Sequence, residues 1–179
     1  MSVKVNQYKK QEAKVKRSIY SQLMNGMVIM TAIVAVASLT GCATVPKASP
    51  EFEQQARSFT PAPGKAAVYV YRPYNYTGSA LVFPVSIDYK EFGTLANNTY
   101  LFGNIDPGSH IIRSGAGMAG SVRPKQFDAE AGKLYFFKVE PGWDHIVITP
   151  VDESEGRQRV SKYQLSGDNV FEMEAEQHK

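Results

Sequence analysis

The sequence predicts an all-β fold, an antiparallel β-sandwich, from three observations. Runs of about four to eight β-branched, aromatic and aliphatic residues recur beyond Gly64. Turn signals built on Pro, Gly, Asn and Asp separate them at intervals of about 8–12 residues, the spacing of short strands in sandwiches and barrels. No long segment carries a convincing helical period.

The strands are justified in order. Ala66-Ala67-Val68-Tyr69-Val70-Tyr71 is rich in β-formers and stops at Arg72-Pro73. Leu81 to Asp88 places Phe83, Val85 and Ile87 on one face, and Pro84 within it predicts an edge or a bulge. Tyr89-Lys90-Glu91-Phe92-Gly93 reads as a hairpin turn. Tyr100-Leu101-Phe102 leads to a turn at Asp106-Pro107-Gly108, then to His110-Ile111-Ile112-Arg113. Gly115 to Gly120 is Gly-rich but lacks the Lys-Ser ending of a phosphate loop, and reads as a connection. Gln126-Phe127-Asp128, Lys133 to Val139 and His145 to Thr149 follow, the last two joined by a turn at Glu140 to Trp143. Phe171 to Glu176 alternates apolar and acidic residues and is a candidate last strand. Tyr69, Phe83, Tyr135 and Phe137 are expected in the core.

The N-terminal part is of another kind. Lys4, Lys9, Lys10, Lys14, Lys16 and Arg17 precede an apolar run from Met27 to Leu39, and Leu39-Thr40-Gly41-Cys42 closes it. A basic segment, a short apolar segment and small residues at the end define a secretory signal. The run is shorter than the roughly 20 apolar residues needed to span a bilayer. Its last four residues resemble the lipobox of bacterial lipoproteins. The resemblance implies cleavage before Cys42 and acylation of that residue, with the thiol as the nucleophile. Ala43 is not Asp, which implies the outer membrane facing the periplasm in a Gram-negative host.

Removing this signal changes the charge. The whole chain has 20 Lys and Arg against 17 Asp and Glu, a net +3. Residues 1–41 hold six of the basic residues and one acid, so 14 and 16 remain, a net −2. That balance offers no basic surface for nucleic acid. The remaining 138 residues suit one domain. Cys42 is the sole cysteine, so no intrachain disulfide can form. Thr44 to Gly64, with Pro46, Pro50, Pro61 and Pro63, reads as a Pro-rich tether, with a short helical turn over Glu51 to Arg57. The expected organisation is a signal helix over 1–41, a lipidated N-terminus and tether over 42–64, and a β-sandwich over 65–179.

Gly64-Lys65-Ala66-Ala67-Val68-Tyr69-Val70-Tyr71-Arg72-Pro73 resembles the opening of the DUF2846 lipoproteins, a family of uncharacterised function. The likeness continues through Val85-Ser86-Ile87-Asp88, Gly93 to Tyr100 and Ile105 to His110, and ends near Ala131 to Phe136. The segment at Tyr89-Lys90 departs from it, where a Gly-rich turn such as Asp-Gly is expected. Pro107-Gly108-Ser109-His110 also resembles PEGA-type surface domains, so the implied sandwich is Ig-like or PEGA-like. These motifs are turns and strands and carry no catalytic signature.

Candidate chemistry is sparse. His110, His145 and His178 show no paired ligand spacing, so no metal or other cofactor is expected. Ser109, His145 and Asp144 make a triad on paper, but adjacent strand residues point to opposite faces, and no nucleophile elbow is present. Asp152, Glu153 and Glu155 read as a solvated turn more readily than as a calcium site. Tyr74 and Tyr76, beside Arg72, form the best candidate binding loop, because exposed tyrosines stack on sugars or anchor protein partners. The expected function is a non-enzymatic, lipid-anchored envelope lipoprotein that presents its β-sandwich to a protein or glycan. The alternatives are a structural or stress-associated lipoprotein without a specific ligand, and an unrecognised envelope hydrolase.

Overall fold

The structure, a computed structural model, describes Gln22 and residues 44–115 and 121–169, with 121–122 described as backbone alone. Leu39 to Cys42, most of the Gly115 to Gly120 connection and the candidate strand over Phe171 to Glu176 lie outside the described residues. The chain divides into two units, Met1–Gly41 and Cys42–Lys179, and all the elements below belong to the second.

Among the described residues of the second unit, ten strands and two helices follow one another as α1 (Pro50–Arg57), β1 (Ala66–Arg72), β2 (Phe83–Ile87), β3 (Lys90–Leu95), β4 (Thr99–Ile105), β5 (Gly108–Ser114), β6 (Ser121–Val122), β7 (Lys125–Ala129), β8 (Leu134–Pro141), β9 (His145–Val151), α2 (Glu153–Val160) and β10 (Gln164–Leu165). They form a six-stranded sheet in the order β10-β4-β1-β8-β9-β6 and a four-stranded sheet in the order β3-β2-β5-β7. The fold is mostly β, and the two sheets pack as a sandwich. Alternating residues of both inner faces, such as Val68 and Val70 of β1, Phe83 and Val85 of β2 and Ile112 of β5, build the core between them. Tyr69, Phe83 and Phe137 are buried as expected, and Tyr135 packs against this core partly exposed.

The antiparallel expectation holds for the smaller sheet and only in part for the larger. β1 pairs antiparallel with β4 but parallel with β8, over Ala67↔Leu134 to Tyr71↔Lys138. β10 and β6 are also parallel to their neighbours β4 and β9. A parallel pair needs a long crossover, and here the four-stranded sheet is built from the chain between β1 and β8.

Parallel strands at a sheet centre are covered on both faces, and every residue of β1 is buried. The second cover is helical. Tyr69, Tyr71, Tyr100, Phe102 and Phe136 point away from the sandwich core and pack against Phe52 and Ala56 of α1 and Val160 of α2. The Tyr69 hydroxyl donates to the Ala56 carbonyl at 2.7 Å. The fold is therefore three-layered, with two helices outside the larger sheet.

Both helices start where the local chemistry dictates. Ser49 caps α1 by accepting from Phe52 N–H, with Pro50 at the first helical position. Asp152 caps α2 by accepting from Glu155 N–H at 2.8 Å, and Glu153 pairs with Arg157 one turn on. The acidic stretch at 152–155, read as a solvated turn, is thus the start of a helix. α2 has one apolar residue, Val160, so it shows no period. Gly156 makes its docking possible, since a Cβ there would lie 2.2 Å from the Phe136 ring.

Two more local readings change. The β2–β3 turn falls at Asp88 and Tyr89, with φ of 50° and 64°, and Lys90 to Gly93 already belongs to β3. Positive φ at both central residues is the type I′ hairpin geometry that favours Gly. Pro84 lies on an inner strand, so of the two alternatives given for it the edge fails and the bulge holds, as a register shift at Val85/Ser86 beside it. The tether reading also changes. Lys47 bridges Ser166, Gly167 N–H donates to the Pro46 carbonyl at 2.8 Å, and Ala48 N–H donates to the Leu165 carbonyl. Residues 46–57 are thus packed on the domain.

Phe52 is the largest side chain that α1 buries against the larger sheet, so Phe52→Ala is expected to destabilise the domain by about 3–5 kcal/mol. Urea denaturation of the wild type and variant measures this. A free tether would give no change in the midpoint.

Candidate functional site

Parallel pairing of β1 and β8 sends both strands out at the same end of the sheet. The loop after β1, residues 73–82, and the turn after β8, residues 142–144, therefore share that end. They carry large exposed rings: Tyr74 is 64% exposed, Tyr76 84% and Trp143 fully. Leu81 and Val82 are exposed on the same loop.

Arg72 differs from its expected place in the binding loop. It is wholly buried, with its guanidinium 3.7 Å from the centre of the Phe83 ring. Nη1 donates to the Leu81 carbonyl at 2.6 Å and Nη2 to the Gly78 carbonyl at 2.7 Å. Burial pushes its pKa down to about 10, which still leaves it charged at neutral pH. Arg72 is the post to which the loop is tied. Asn97 completes the tie by donating to the Asn75 carbonyl at 3.0 Å, and Asn75 Oδ1 accepts from Thr77 N–H. The loop is thus held from inside while Tyr74 and Tyr76 stay outside.

The other candidates fall apart or become structural. Ser109 Oγ accepts from Gln126 across β5 and β7. Asp144 precedes β9, so its carboxylate turns back onto His145 Nδ1 and also faces Arg123; the opposite-faces expectation fails because only His145 lies in the strand. Among the described residues no group of three or more His, Cys, Asp or Glu side chains is placed to hold a metal ion.

One constellation escaped sequence reasoning. His110 Nδ1 lies 2.6 Å from Asp88 Oδ2, and Nε2 lies 2.8 Å from the Asp106 carbonyl. Both neighbours are acceptors, so only the imidazolium, with a proton on each nitrogen, satisfies both. Burial opposes that charge, but the bonds to Asp88 and Asp106 outweigh it and raise the His110 pKa. Asp88 also accepts from Ile111 N–H, so the group clamps the β2–β3 turn to β5 and to the β4–β5 turn. With both nitrogens engaged, it is a clamp with no free base. The 22-residue separation leaves no sequence signal for it.

A shallow cleft of about 460 Å³ lies over the outer face of the smaller sheet, between Ser86, Tyr89, Glu91 and Arg113. The Arg113 guanidinium stacks at 3.7 Å on the ring of Tyr89, which stays 79% exposed at its left-handed turn position.

A raised native pKa stabilises the fold fully below the unfolded histidine value near 6.5, and that stabilisation is lost as pH rises through the native value. Chemical denaturation across this window is expected to show falling stability. His110→Gln is expected to flatten that part of the profile; a profile unchanged by the substitution would refute the clamp.

A family profile described as "Protein of unknown function (DUF2846)" matches residues 62–149, which run from β1 into β9 and leave out both helices. An uncharacterized protein of Haemophilus influenzae is 30% identical over 161 residues, which is 84% of this chain and 94% of that protein. The strand and turn motifs of β1 to β8, the sandwich they build and these two likenesses agree, and the chain belongs to the DUF2846 family.

Proposed function

We propose that this protein is a lipid-anchored binding module of the cell envelope, acylated at Cys42, held in the outer membrane facing the periplasm, and non-catalytic. The anchor rests on the basic segment, the apolar run and the Leu39-Thr40-Gly41-Cys42 ending. Among the described residues no helix is long and apolar enough to cross a membrane.

The observation that carries the binding reading is the pairing of fully presented rings with a tied loop. Tyr76 and Trp143 gain nothing for the fold where they stand, while the buried Arg72 fixes the backbone beneath the tyrosines. Rigid aromatic side chains lose little conformational freedom on binding, so a partner meets a surface already arranged for it. Their flat faces suit a sugar ring or an apolar pocket on a protein.

Crosslinking in native envelopes tests this. The wild type is expected to give a specific protein or glycan adduct, and Tyr74→Ala with Tyr76→Ala and Trp143→Ala is expected to cut its yield about tenfold, the loss of one good anchor. Equal yields would remove the loop and turn from the interface. Cys42→Ser is expected to abolish acyl labelling and release the protein from membranes.

A further inference from the structure

We infer that the domain is held directly against the bilayer along its β10 edge, with the aromatic end directed away from the lipid. This rests on acylation of Cys42.

The first argument is reach. Among the described residues, hydrogen bonding to the domain begins at the Pro46 carbonyl, which accepts from Gly167 N–H. Only Ala43, Thr44 and Val45 separate that residue from Cys42. A fully extended chain covers at most about 3.6 Å per residue, so Pro46 stays within roughly 14 Å of the acylated residue. A tether running to Gly64 would have allowed roughly 80 Å by the same measure. The spacer is removed because Lys47, α1 and Phe59 belong to the folded unit.

The second argument is direction. β10 runs parallel to β4, with Gln164 beside Thr99 and Leu165 beside Tyr100. Beyond it the chain continues along β4, and the Asn169 side chain donates to the Phe102 carbonyl at 2.7 Å. Ala48 lies beside Leu165 and Pro46 beside Gly167. Followed back toward Cys42, the chain thus runs in the direction of β4. β4 is antiparallel to β1, so this leads toward the Ala66 end of β1 and away from its Arg72 end. The loop 73–82 and the turn 142–144 lie at the Arg72 end. Pro46 to Ala48, the described residues nearest the anchor, lie at the outer edge of β10, three strands from β8, whose turn carries Trp143.

A short leash also has a consequence for association. A partner would approach from the side opposite the lipid, with the aromatic end exposed to the aqueous space. The same four-residue leash prevents the domain from reaching partners far from its own membrane.

The test uses the full acylated chain in phosphatidylethanolamine–phosphatidylglycerol vesicles that carry a nitroxide on a fraction of the headgroups. A fluorophore is placed at residue 47 through Lys47→Cys or at residue 76 through Tyr76→Cys, with Cys42 blocked by its lipid. Quenching at residue 47 is expected to exceed that at residue 76 at least threefold. Trp143, the sole tryptophan, is expected to show no quenching by brominated lipid chains. A flexible Gly/Ser insert of about twenty residues between Ala43 and Thr44 is expected to lower quenching at residue 47 severalfold. Equal quenching at the two sites, quenching of Trp143, or no effect of the insert would overturn the inference while leaving acylation intact. Absence of acyl label on the wild type would instead overturn the anchor and this inference with it.

Discussion

The structure depends on the double burial of β1. A strand with parallel β8 on one side and antiparallel β4 on the other sits at the centre of its sheet, and all seven of its residues are buried. Two covers are therefore required. The four-stranded sheet supplies one, and α1 with α2 supplies the other. Leaving the second face open would expose Tyr69, Tyr71, Tyr100, Phe102 and Phe136 together. That patch would be far larger than the scattered apolar residues a soluble surface tolerates. The need for that cover draws the Pro-rich N-terminal segment into the domain and gives the weakly patterned 153–160 segment a reason to be helical.

The same central pairing arranges the end of the sheet that carries the exposed rings. Because β1 and β8 run together, the connections that follow them emerge side by side, and both carry exposed rings. Arg72, the last residue of β1, turns inward and ties the loop that begins at the next residue. A charged side chain is buried there because two backbone carbonyls receive it and the Phe83 ring faces it, which offsets the cost of leaving water. Frame and presented surface thus meet within one residue. At the other end of the smaller sheet, the His110 imidazolium joins two turns through Asp88 and the Asp106 carbonyl. Its role is mechanical, and both of its nitrogens are committed.

Much of the fold was legible because strand signals are local. Val68, Val70, Phe83, Val85 and Ile87 announce their faces through alternation, and the turns at Asp106-Pro107-Gly108 and Glu140 to Trp143 through their residue types. The helices were less so. α1 was visible as a short turn over Glu51 to Arg57, and Ser49 with Pro50 marks its start. α2 offered only Asp152 with Glu155 three residues on, a capping pair without an apolar stripe. Its helicity comes from the cap, from ion pairs at Glu153 and Glu155, and from docking on Phe136. The tyrosine loop was legible as a candidate because Tyr74 and Tyr76 lie between turn residues. Arg72, expected in that loop, is the last residue of β1 and is buried beneath it, on the inner face that the alternation of Val68 and Val70 continues.

By itself the sequence determined the all-β class, the positions of most strands, the resemblance to its family and the identity of Cys42 as the residue that follows a signal-like segment. These properties are local, carried by residue type and short spacing. Only the tertiary structure decided that the large sheet is mixed, that residues 46–57 are a layer of the domain, and that Trp143 shares an end with Tyr74 and Tyr76. It alone paired His110 with Asp88. Each depends on which distant segments become neighbours, and strand order, burial on the second face of a sheet and side-chain partners separated by tens of residues leave no periodic trace in the chain.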